Sequence, residues 1–484
     1  MTVQDPAGNE MPEGPCGDLS RGYWGPDNYT PACLSGVASE GQASSGPPLA
    51  VDSVGFILKD EVQFTFISPD RCPIKYNNIA DYVEIAECIR NTGVPNYAMA
   101  RFPLQSGLNI DRWAEILHDF EHQKLLQYLQ FGFPLSMNMA DELNNTHVKN
   151  HSSAVQYPIE VEKYISEELS HNALLGPADN IPFKHYHLSP LLTRPKPPDS
   201  RRVIVNLSHP RGHSVNSHIV GDRYDGHSFD LRLPTIDHII RSLSQFDDPV
   251  LAKIDISRAF RNIRIDPSDA LKLGISWENK YFIDAAAAFG WVHGTAAFEL
   301  CTSAISAFLS KNDIIMYPYI DDCVFILNSH NALEKFQFAY SLIEGLGLPI
   351  NPNKVAYPNK CVSCLGIRVD IDKNTISIEP EKIAEIHTHC IEASRKIYLT
   401  KRAFQSLLGK LFYIHKCVAP ARFFMNRMLE LFRNNSHKSR IKLSKQFFSD
   451  LAWFIAFLHK FNGITLINKE ILPSNDEIYL DACL

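Results

Sequence analysis

The chain has 484 residues, of which 45% are hydrophobic and 11% aromatic, so it can fill sizeable cores. Its net charge of -7 excludes a globally basic nucleic-acid-binding protein but allows a local basic surface. No signal peptide pattern and no bilayer-length apolar run is present, and the eleven cysteines lack disulfide-framework spacing. We therefore expect an intracellular protein, cytoplasmic or nuclear, that is not secreted and has no membrane partner.

The first part of the chain separates into a tail and a helical extension. Residues 1–49 are rich in Gly, Pro and Ser, which predicts a disordered tail. Residues 50–175 are richer in apolar residues. Within them, residues 110–133 have apolar side chains near helical spacing, with Asn109 or Asp111 as the N-terminal cap. We expect this extension to pack on the domains that follow.

The next stretch predicts a helix and then a basic hairpin. The helix starts at Pro158 and stops near Gly176, and its acidic residues make it an unlikely nucleic-acid surface. Four cations then surround a Pro-rich turn: Arg194, Lys196, Arg201 and Arg202. Arg and Lys side chains in a hairpin can clamp a triphosphate, although such a charge run is more often a solvated turn. Carboxylates further along the chain favour the clamp.

A buried strand over residues 251–256 carries Asp255 near its end. An isolated Asp there is usually a cap or turn residue. Phe260 lies just beyond the turn, where its ring could stack under an incoming sugar and would clash with a 2′-hydroxyl. A Phe in an apolar strand is more often part of the core, but its closeness to Asp255 favours a deoxynucleotide site.

Glycines open the next helix, and an acidic hairpin follows it. Gly290 and Gly294 precede a helix of small residues, where glycine allows close approach to a base or phosphate, as would an ordinary loop. Apolar residues flank Asp321 and Asp322, which predicts strand, tight turn, strand. The Asp pair alone would be a solvated turn, but with Asp255 it supplies the oxygen ligands of a two-Mg²⁺ phosphoryl-transfer site.

The last third of the chain predicts a small sheet and a basic helical hairpin. Lys354 follows Pro352 in a loop, where it could protonate a departing pyrophosphate. Residues 364–370 predict one strand that Gly366 bends. Between residues 380 and 445 there are 14 Lys and Arg against 4 Asp and Glu, the strongest electrostatic signal for nucleic acid in the chain.

Six short phrases stand out in the chain: RRVIVNLSHPRGHSVN, KIDISRAF, AFGWVHGTAAF, YIDD, CLGI and LTKRAFQSLLGKL. Taken together, they resemble the reverse transcriptases of retrotransposons. The resemblance is greatest to the DIRS-like (tyrosine-recombinase) retroelements and next to the gypsy-like elements. The resemblance implies an α+β fold, a right-hand polymerase with fingers, palm and thumb, a helical N-terminal extension and a truncated ribonuclease H-like start. The expected division is a disordered tail at 1–49, the extension at 50–175, fingers and palm at 176–373, thumb at 374–435, and a connection with the first ribonuclease H-like strand, bearing Asp481, at 436–484.

The same resemblance implies roles for individual residues. Asp255, Asp321 and Asp322 would be catalytic and, with Ile256, would bind two Mg²⁺ ions, for which Mn²⁺ could substitute. Lys354 would be the general acid, and Leu365 with Gly366 would form the primer grip. The remaining nucleotide-binding positions are Lys196, Arg202, Arg258, Ala259, Phe260, Phe289 and Gly290. The implied partners are an RNA or DNA template with its primer and dNTPs, and the oligomeric state is left open.

The expected activity is RNA-directed DNA polymerisation, with two alternatives. A viral-type RNA polymerase uses a similar palm, but Phe260 and the YIDD phrase speak against it. The second alternative is a catalytically weak or inactive, truncated or domesticated copy that binds nucleic acid. It draws support from the incomplete ribonuclease H-like domain, and from Ala287-Ala288 and Thr295, where relatives often have Leu-Pro and Pro.

Overall fold

The computed structural model describes residues 78–99, 102–137, 146–196, 199–229, 231–463 and 465–467. All of them belong to one compact unit. The predictions for residues 1–49 and for the strand with Asp481 lie outside the described residues. No helix in the described part of the chain is long and apolar enough to cross a membrane.

The N-terminal part is mainly helical. Its elements are α1 (Ile79–Arg90), α2 (Asn96–Met99), α3 (Ile110–Leu117), α4 (Lys124–Phe131), β1 (Thr146–His147), α5 (Ser152–Gln156) and α6 (Pro158–Ser170). The single helix predicted over residues 110–133 is wrong, because the polar segment between α3 and α4 forms a turn. The predicted cap is confirmed: the Asn109 side chain accepts a hydrogen bond from the Arg112 backbone N–H. Helix α6 begins at Pro158 as predicted and ends six residues before Gly176.

The middle of the chain alternates strands and helices. Its elements are β2 (Leu174–Ala178), β3 (His187–Leu188), β4 (Leu191–Lys196), β5 (Ser200–Val205), β6 (Arg223–Tyr224), β7 (His227–Ser228), α7 (Ile236–Leu243), β8 (Pro249–Asp255), β9 (Gly274–Trp277), β10 (Lys280–Asp284), α8 (Gly294–Ser310), β11 (Ile315–Tyr319), β12 (Asp322–Asn328), α9 (Ala332–Gly345), β13 (Ala356–Asn359), β14 (Cys361–Cys364) and β15 (Ile367–Asp370). The strands predicted around Asp255 and the Asp pair, and the helix predicted to follow Gly290, are confirmed.

The last part is again mainly helical. Its elements are β16 (Thr375–Ile378), α10 (Pro380–Ser394), β17 (Tyr398–Thr400), α11 (Lys401–Ile414), α12 (Ala421–Asn434), β18 (Arg440–Lys442), α13 (Lys445–Phe461) and β19 (Thr465–Leu466). The predicted helical hairpin is confirmed: α11 and α12 are separate helices, and Pro420 is the N-cap residue of α12. The predicted mixture of helices and strands is therefore present throughout the described residues.

Three larger sheets organise these elements. Their strand orders are β1-β3-β9-β10-β2, β11-β12-β8-β13 and β14-β15-β16-β19. The second sheet separates two cores, because alternate residues of a strand face opposite sides. Ile254 and Phe325 face a core shared with α8, α9 and the N-terminal helices. Leu251 and Val324 face a core shared with α7 and α10–α13. This central sheet therefore holds its strand ends between two packed layers.

The N-terminal helices are attached directly to the end of α9. The backbone N–H of Asn109 and the indole Nε1–H of Trp113 both donate to the carbonyl oxygen of Leu346, each at 3.0 Å. Trp113 is fully buried. Close approach is possible there because Gly347 adopts a φ of +81° and faces Gly107 across the junction. The helical extension and the central sheet therefore share one continuous core.

Candidate active site

The two adjacent acids lie at a tight hairpin turn. Tyr319 pairs with Asp322, which leaves only Ile320 and Asp321 in the turn between β11 and β12. Ile320 has a φ of +60°, a left-handed conformation that is unfavourable for a β-branched residue. The carbonyl oxygen of Asp321 accepts a hydrogen bond of 2.8 Å from the backbone N–H of Ile256. The turn is therefore fixed to the end of β8, where the third acid lies.

The third acid is directly opposite the second. In the antiparallel pairing of β12 with β8, Asp322 is the register partner of Asp255. Side chains that are directly opposite on one sheet face have Cβ atoms about 4.5–5.5 Å apart, so two carboxylates there repel each other. Burial is the main factor that raises the pKa of Asp321, and the charges of Asp322 and Asp255 raise it further. The structure thus gathers the three predicted acids at one strand end.

Two lysines partly neutralise these acids. The ammonium of Lys253 lies 2.9 Å from Oδ2 of Asp322, and that of Lys354 lies 2.8 Å from Oδ2 of Asp255. Lys354 ends a short 3₁₀ turn, Pro352–Lys354. Its hydrogen bond to Asp255 is the main cause of its raised pKa. The site therefore combines three acidic and two basic groups and keeps one net negative charge when all five are ionised.

The donor set suits Mg²⁺, although the acids are not drawn together into a ligand cluster. Carboxylate oxygens are the ligands that this hard ion prefers. Among the described residues, no three His, Cys, Asp or Glu side chains converge closely enough to form a metal-binding group. Lys253 and Lys354 each bind one of the carboxylates instead, at Asp322 and Asp255. A cation bound between Asp255 and Asp322 would relieve their mutual repulsion, which is the physical reason for considering an ion there.

Two predicted nucleotide-binding rings contact each other. Phe260 lies on a 3₁₀ turn, Ala259–Asn262, and contacts Phe289 edge-to-face with ring centroids 5.6 Å apart. The guanidinium of Arg202 lies 5.5 Å from the Phe289 ring centroid. Gly290 has a φ of +128°, and a Cβ there would lie 3.1 Å from the Val205 carbonyl oxygen. The predicted residues Arg202, Phe260, Phe289 and Gly290 therefore form one surface.

Other predicted residues have different surroundings. Lys196 lies exposed at the end of the β4–β5 hairpin. Arg201, from the same basic cluster, stacks on Tyr157 at 3.8 Å and so contacts the protein itself. Arg258 donates a 2.9 Å hydrogen bond to Glu168 on α6, and Ala259 is buried. Only part of the predicted basic cluster thus faces the Phe260 surface.

The tight bend predicted at Gly366 is present, as a turn formed by Leu365 and Gly366. It divides the single strand predicted over residues 364–370, because β14 and β15 pair antiparallel and these two residues connect them with φ values of +52° and +74°. Two successive left-handed residues reverse the chain direction. The phenol of Tyr413, on α11, donates a hydrogen bond to the Gly366 carbonyl oxygen. The candidate primer grip is thereby connected to the basic helical hairpin.

The sequence did not reveal Lys253, Glu168 or Arg261 as functional residues. Lys253 could have been found, since it lies two residues before Asp255 and therefore shares its strand face. Glu168 gave no such signal, because it contacts Arg258 and Arg261 across 90 and 93 residues of sequence. An acid on an acidic helix predicts a solvated position, whereas this one is buried.

Comparison with known proteins assigns the central segment. Residues 194–369 match the family model for reverse transcriptase (RNA-dependent DNA polymerase). The chain therefore contains a reverse transcriptase domain, and this domain holds Asp255, Asp321 and Asp322. The prediction of a reverse transcriptase is confirmed at this level.

Solved structures with a similar fold come from a foamy virus. The protease-reverse transcriptase with dsDNA aligns at TM-score 0.51 and 16% identity, over 82% of this chain and 75% of that chain. Its dRH form with dsDNA gives 0.50 and 16%, over 80% and 62%, and the complex with an RNA/DNA hybrid gives 0.50 and 16%, over 82% and 48%. The chain thus spans less than two thirds of these last two, and the likeness shows the fold alone. No curated protein matches the chain.

Proposed function

We propose that the chain is an RNA-directed DNA polymerase of retroelement origin that adds dNTPs to the 3′-hydroxyl of a primer. The observation that carries the proposal is the register of Asp322 opposite Asp255, with Asp321 in the adjoining turn, inside a reverse transcriptase domain. Carboxylates in this arrangement are suited to hold two Mg²⁺ or Mn²⁺ ions. When bound, such ions stabilise negative charge on the attacking and leaving oxygens.

The other residues would orient the substrates. Arg202, with Lys196, would bind the triphosphate, while Phe260 would pack against the sugar and exclude a 2′-hydroxyl. The 3′-hydroxyl oxygen, losing its proton to solvent, would form a bond to the α-phosphorus while the bond from that phosphorus to the bridging oxygen breaks and pyrophosphate leaves. Lys354 would donate the proton that the leaving pyrophosphate takes up. Catalysis would come mainly from positioning and charge stabilisation.

The remaining assignments concern nucleic acid and domains. Phe289 and Gly290 would lie by the nascent base pair, and Leu365 with Gly366 would hold the primer end. The excess of ten positive charges between residues 380 and 445 supports a thumb that binds the template-primer duplex. Foamy viral structures of similar fold contain dsDNA or an RNA/DNA hybrid, which favours the same partner here.

The proposal also includes the division of the chain, its location and its origin. Fingers and palm would span residues 176–373 and the thumb residues 374–435. The protein would be intracellular and of DIRS-like origin.

The test is primer extension on poly(rA)/oligo(dT) with dTTP and Mg²⁺. We expect extension by the parent protein and at least a roughly 100-fold loss in Asp321→Asn, because charge stabilisation supplies most of the rate. Asp372→Asn, which changes an exposed acid, is the matched control and should extend normally. Phe260→Ala should gain incorporation of ribonucleotides.

Three results would contradict parts of the proposal. Equal extension by Asp321→Asn and the parent would remove the proposed site. Equal use of rNTPs and dNTPs by the parent would indicate an RNA polymerase. Tight, salt-sensitive binding of the primer-template without extension would indicate a copy that binds nucleic acid without turnover.

A further inference from the structure

A buried ion network lies directly beneath the candidate nucleotide surface. Arg261 follows Phe260 in the 3₁₀ turn, and its side chain is only 1% exposed. Its Nε donates to Oε2 of Glu168 at 2.9 Å, and its Nη1 donates to Oδ1 of Asp284 at 2.7 Å. Glu168 and Asp284 are equally hidden, with 6% and 1% of their side chains exposed. These contacts join α6, β10 and the turn that carries Phe260.

The same guanidinium also holds backbone on the other side of the surface. Nη1 of Arg261 donates to the carbonyl oxygens of Ala286 and Ala287 at 3.1 and 3.3 Å, and Nη2 donates to that of Ala173 at 3.4 Å. Ala287 lies two residues before Phe289. Arg261 thereby connects the segment that presents Phe260 to the segment that presents Phe289.

Glu168 connects the parts of this network because its carboxylate binds two arginines. Its Oε2 accepts from Arg261 and also, at 2.9 Å, from Nη2 of Arg258. Arg258 and Arg261 stand on either side of Phe260 in the sequence. Arg258 has a φ of +56°, a conformation that an arginine rarely adopts without external contacts. A single carboxylate thus restrains both ends of the short segment that carries the ring.

Stability alone does not require charges at this place. Buried ion pairs are often no more stabilising than apolar side chains of similar volume, since desolvation offsets their attraction. Here two arginines and two acids balance in charge, yet Oδ2 of Asp284 is buried and has no hydrogen-bond partner among the described residues. The network instead fixes geometry. Charge-assisted hydrogen bonds from a planar guanidinium set the relative positions of the segments they join.

We propose that Glu168 is a positioning residue that sets the Phe260 ring against Phe289, through Arg258 and Arg261, and so controls binding and selection of the deoxynucleotide. The proposal rests on the proposed function, in which Phe260 faces the sugar. Glu168 lies on α6, outside the segment that matches the reverse transcriptase family model. The N-terminal extension would therefore contribute to substrate selection.

The test compares Glu168→Gln with Glu167→Gln. Both remove one negative charge from the same turn of α6, but Glu167 is exposed. Hydrogen–deuterium exchange should be faster in peptides covering residues 257–264 and 284–290 of Glu168→Gln only, with thumb peptides unchanged. For dTTP we expect KM to rise about tenfold with kcat within about threefold, and the preference for dTTP over rUTP to fall about tenfold. Affinity for primer-template should stay the same.

A second variant covers the case in which Glu168→Gln does not fold. Arg258→Asn removes the more exposed arm of the network, and Asn tolerates the left-handed conformation. Its effects should have the same direction and be smaller. In the double variant Glu168→Gln/Arg258→Asn the effects should be no larger than in Glu168→Gln alone, because both act through one contact.

The outcomes separate this inference from the proposed function. Unchanged exchange of both segments, with unchanged KM and nucleotide preference, would show that Glu168 is only structural, even if the thermal midpoint falls. A parent protein without polymerase activity would refute the proposed function. In that case, faster exchange of Glu168→Gln than of the parent, confined to residues 257–264 and 284–290, would still establish the positioning role of Glu168. An equal change in exchange across all peptides of the variant would overturn it.

Discussion

Replacing Lys253 by methionine should strengthen the binding of a divalent ion at the acids. Lys253 donates to Oδ2 of Asp322, and both side chains are mostly shielded from water, with 19% and 24% exposed. An ion that takes the same carboxylate oxygen must first displace this ammonium. Lys253→Met removes the competitor and keeps an unbranched side chain of similar length. The variant should therefore bind Mn²⁺ more tightly than the parent.

The size of the effect follows from the ion pair. At 2.9 Å and an effective dielectric constant of about 20, two unit charges attract by about 6 kcal/mol. Desolvation and ordering of the lysine offset most of this, so the net contribution of a partly buried pair is about 1–2 kcal/mol. Displacing the pair lowers the affinity of the ion by the same amount. Since about 1.4 kcal/mol is a factor of ten, the dissociation constant for Mn²⁺ should fall about tenfold in Lys253→Met.

The dissociation constant can be measured by electron paramagnetic resonance of free Mn²⁺, without any polymerase assay. Lys360→Met is the matched control, because Lys360 pairs with Asp248 beside the opposite end of β8. It should leave Mn²⁺ binding unchanged. An equal or weaker affinity in Lys253→Met would refute the reasoning, and would mean that Lys253 orients Asp322 rather than competing for it.

Three further predictions concern stability and rate. Burial, aided by the charge of Asp269, raises the pKa of Asp266 to about 6, so its stabilising contribution is complete below about pH 4 and is lost as the pH rises through 6. Between pH 4 and pH 8 the parent should therefore lose about 2–3 kcal/mol of unfolding free energy that Asp266→Asn does not lose. Urea denaturation of both proteins at the two pH values measures this difference. Gly347→Ala should destabilise the protein by about 3 kcal/mol, because the new Cβ would overlap the Gly107 carbonyl oxygen. Lys354→Gln should slow single-turnover nucleotide addition roughly 100-fold, as expected for loss of a general acid.

Each of these has a clear contrary result. A stability difference between Asp266→Asn and the parent that does not change with pH would show that Asp266 titrates normally. Thermal midpoints within a degree for Gly347→Ala and the parent would show that the junction relaxes easily; Gly345→Ala, where a Cβ meets nothing within 4 Å, is the control. An unchanged rate in Lys354→Gln would assign the ammonium to holding Asp255 alone.

Local patterns in the sequence were sufficient for the elements that carry the acids. Apolar runs on both sides of Asp321 and Asp322 predict the hairpin, and the run before Asp255 predicts β8, because buried strands have a distinctive composition. The register that places Asp322 opposite Asp255 was not predictable, since it depends on pairing between segments about 70 residues apart. The break between α3 and α4 is not predicted, because apolar residues keep a helical spacing in the sequence across this segment. Tertiary packing imposes the turn there.

Long-range polar contacts were the least predictable part of the site. No local pattern singles out Arg261, and Glu168 lies on a helix whose acidic residues predict only that it does not bind nucleic acid. Each is buried with an oppositely charged partner from a distant part of the chain, and neither shows this in its neighbouring residues. The same holds for Asp225, whose carboxylate accepts from the phenols of Tyr97 and Tyr128, at 2.7 Å each, and from Lys124 at 3.0 Å.

The attachment of Trp113 to Leu346 has a practical consequence for dividing this chain. A fragment that starts at Arg194, where the family match begins, would lose α3 and expose the apolar end of α9 that Trp113 covers. Burying an aromatic side chain of this size contributes about 2–3 kcal/mol, and a folded domain has only about 5–15 kcal/mol to lose. Such a fragment should aggregate when expressed alone, whereas one that starts before Asn78 should fold, so the unit of sequence homology is smaller than the unit of folding.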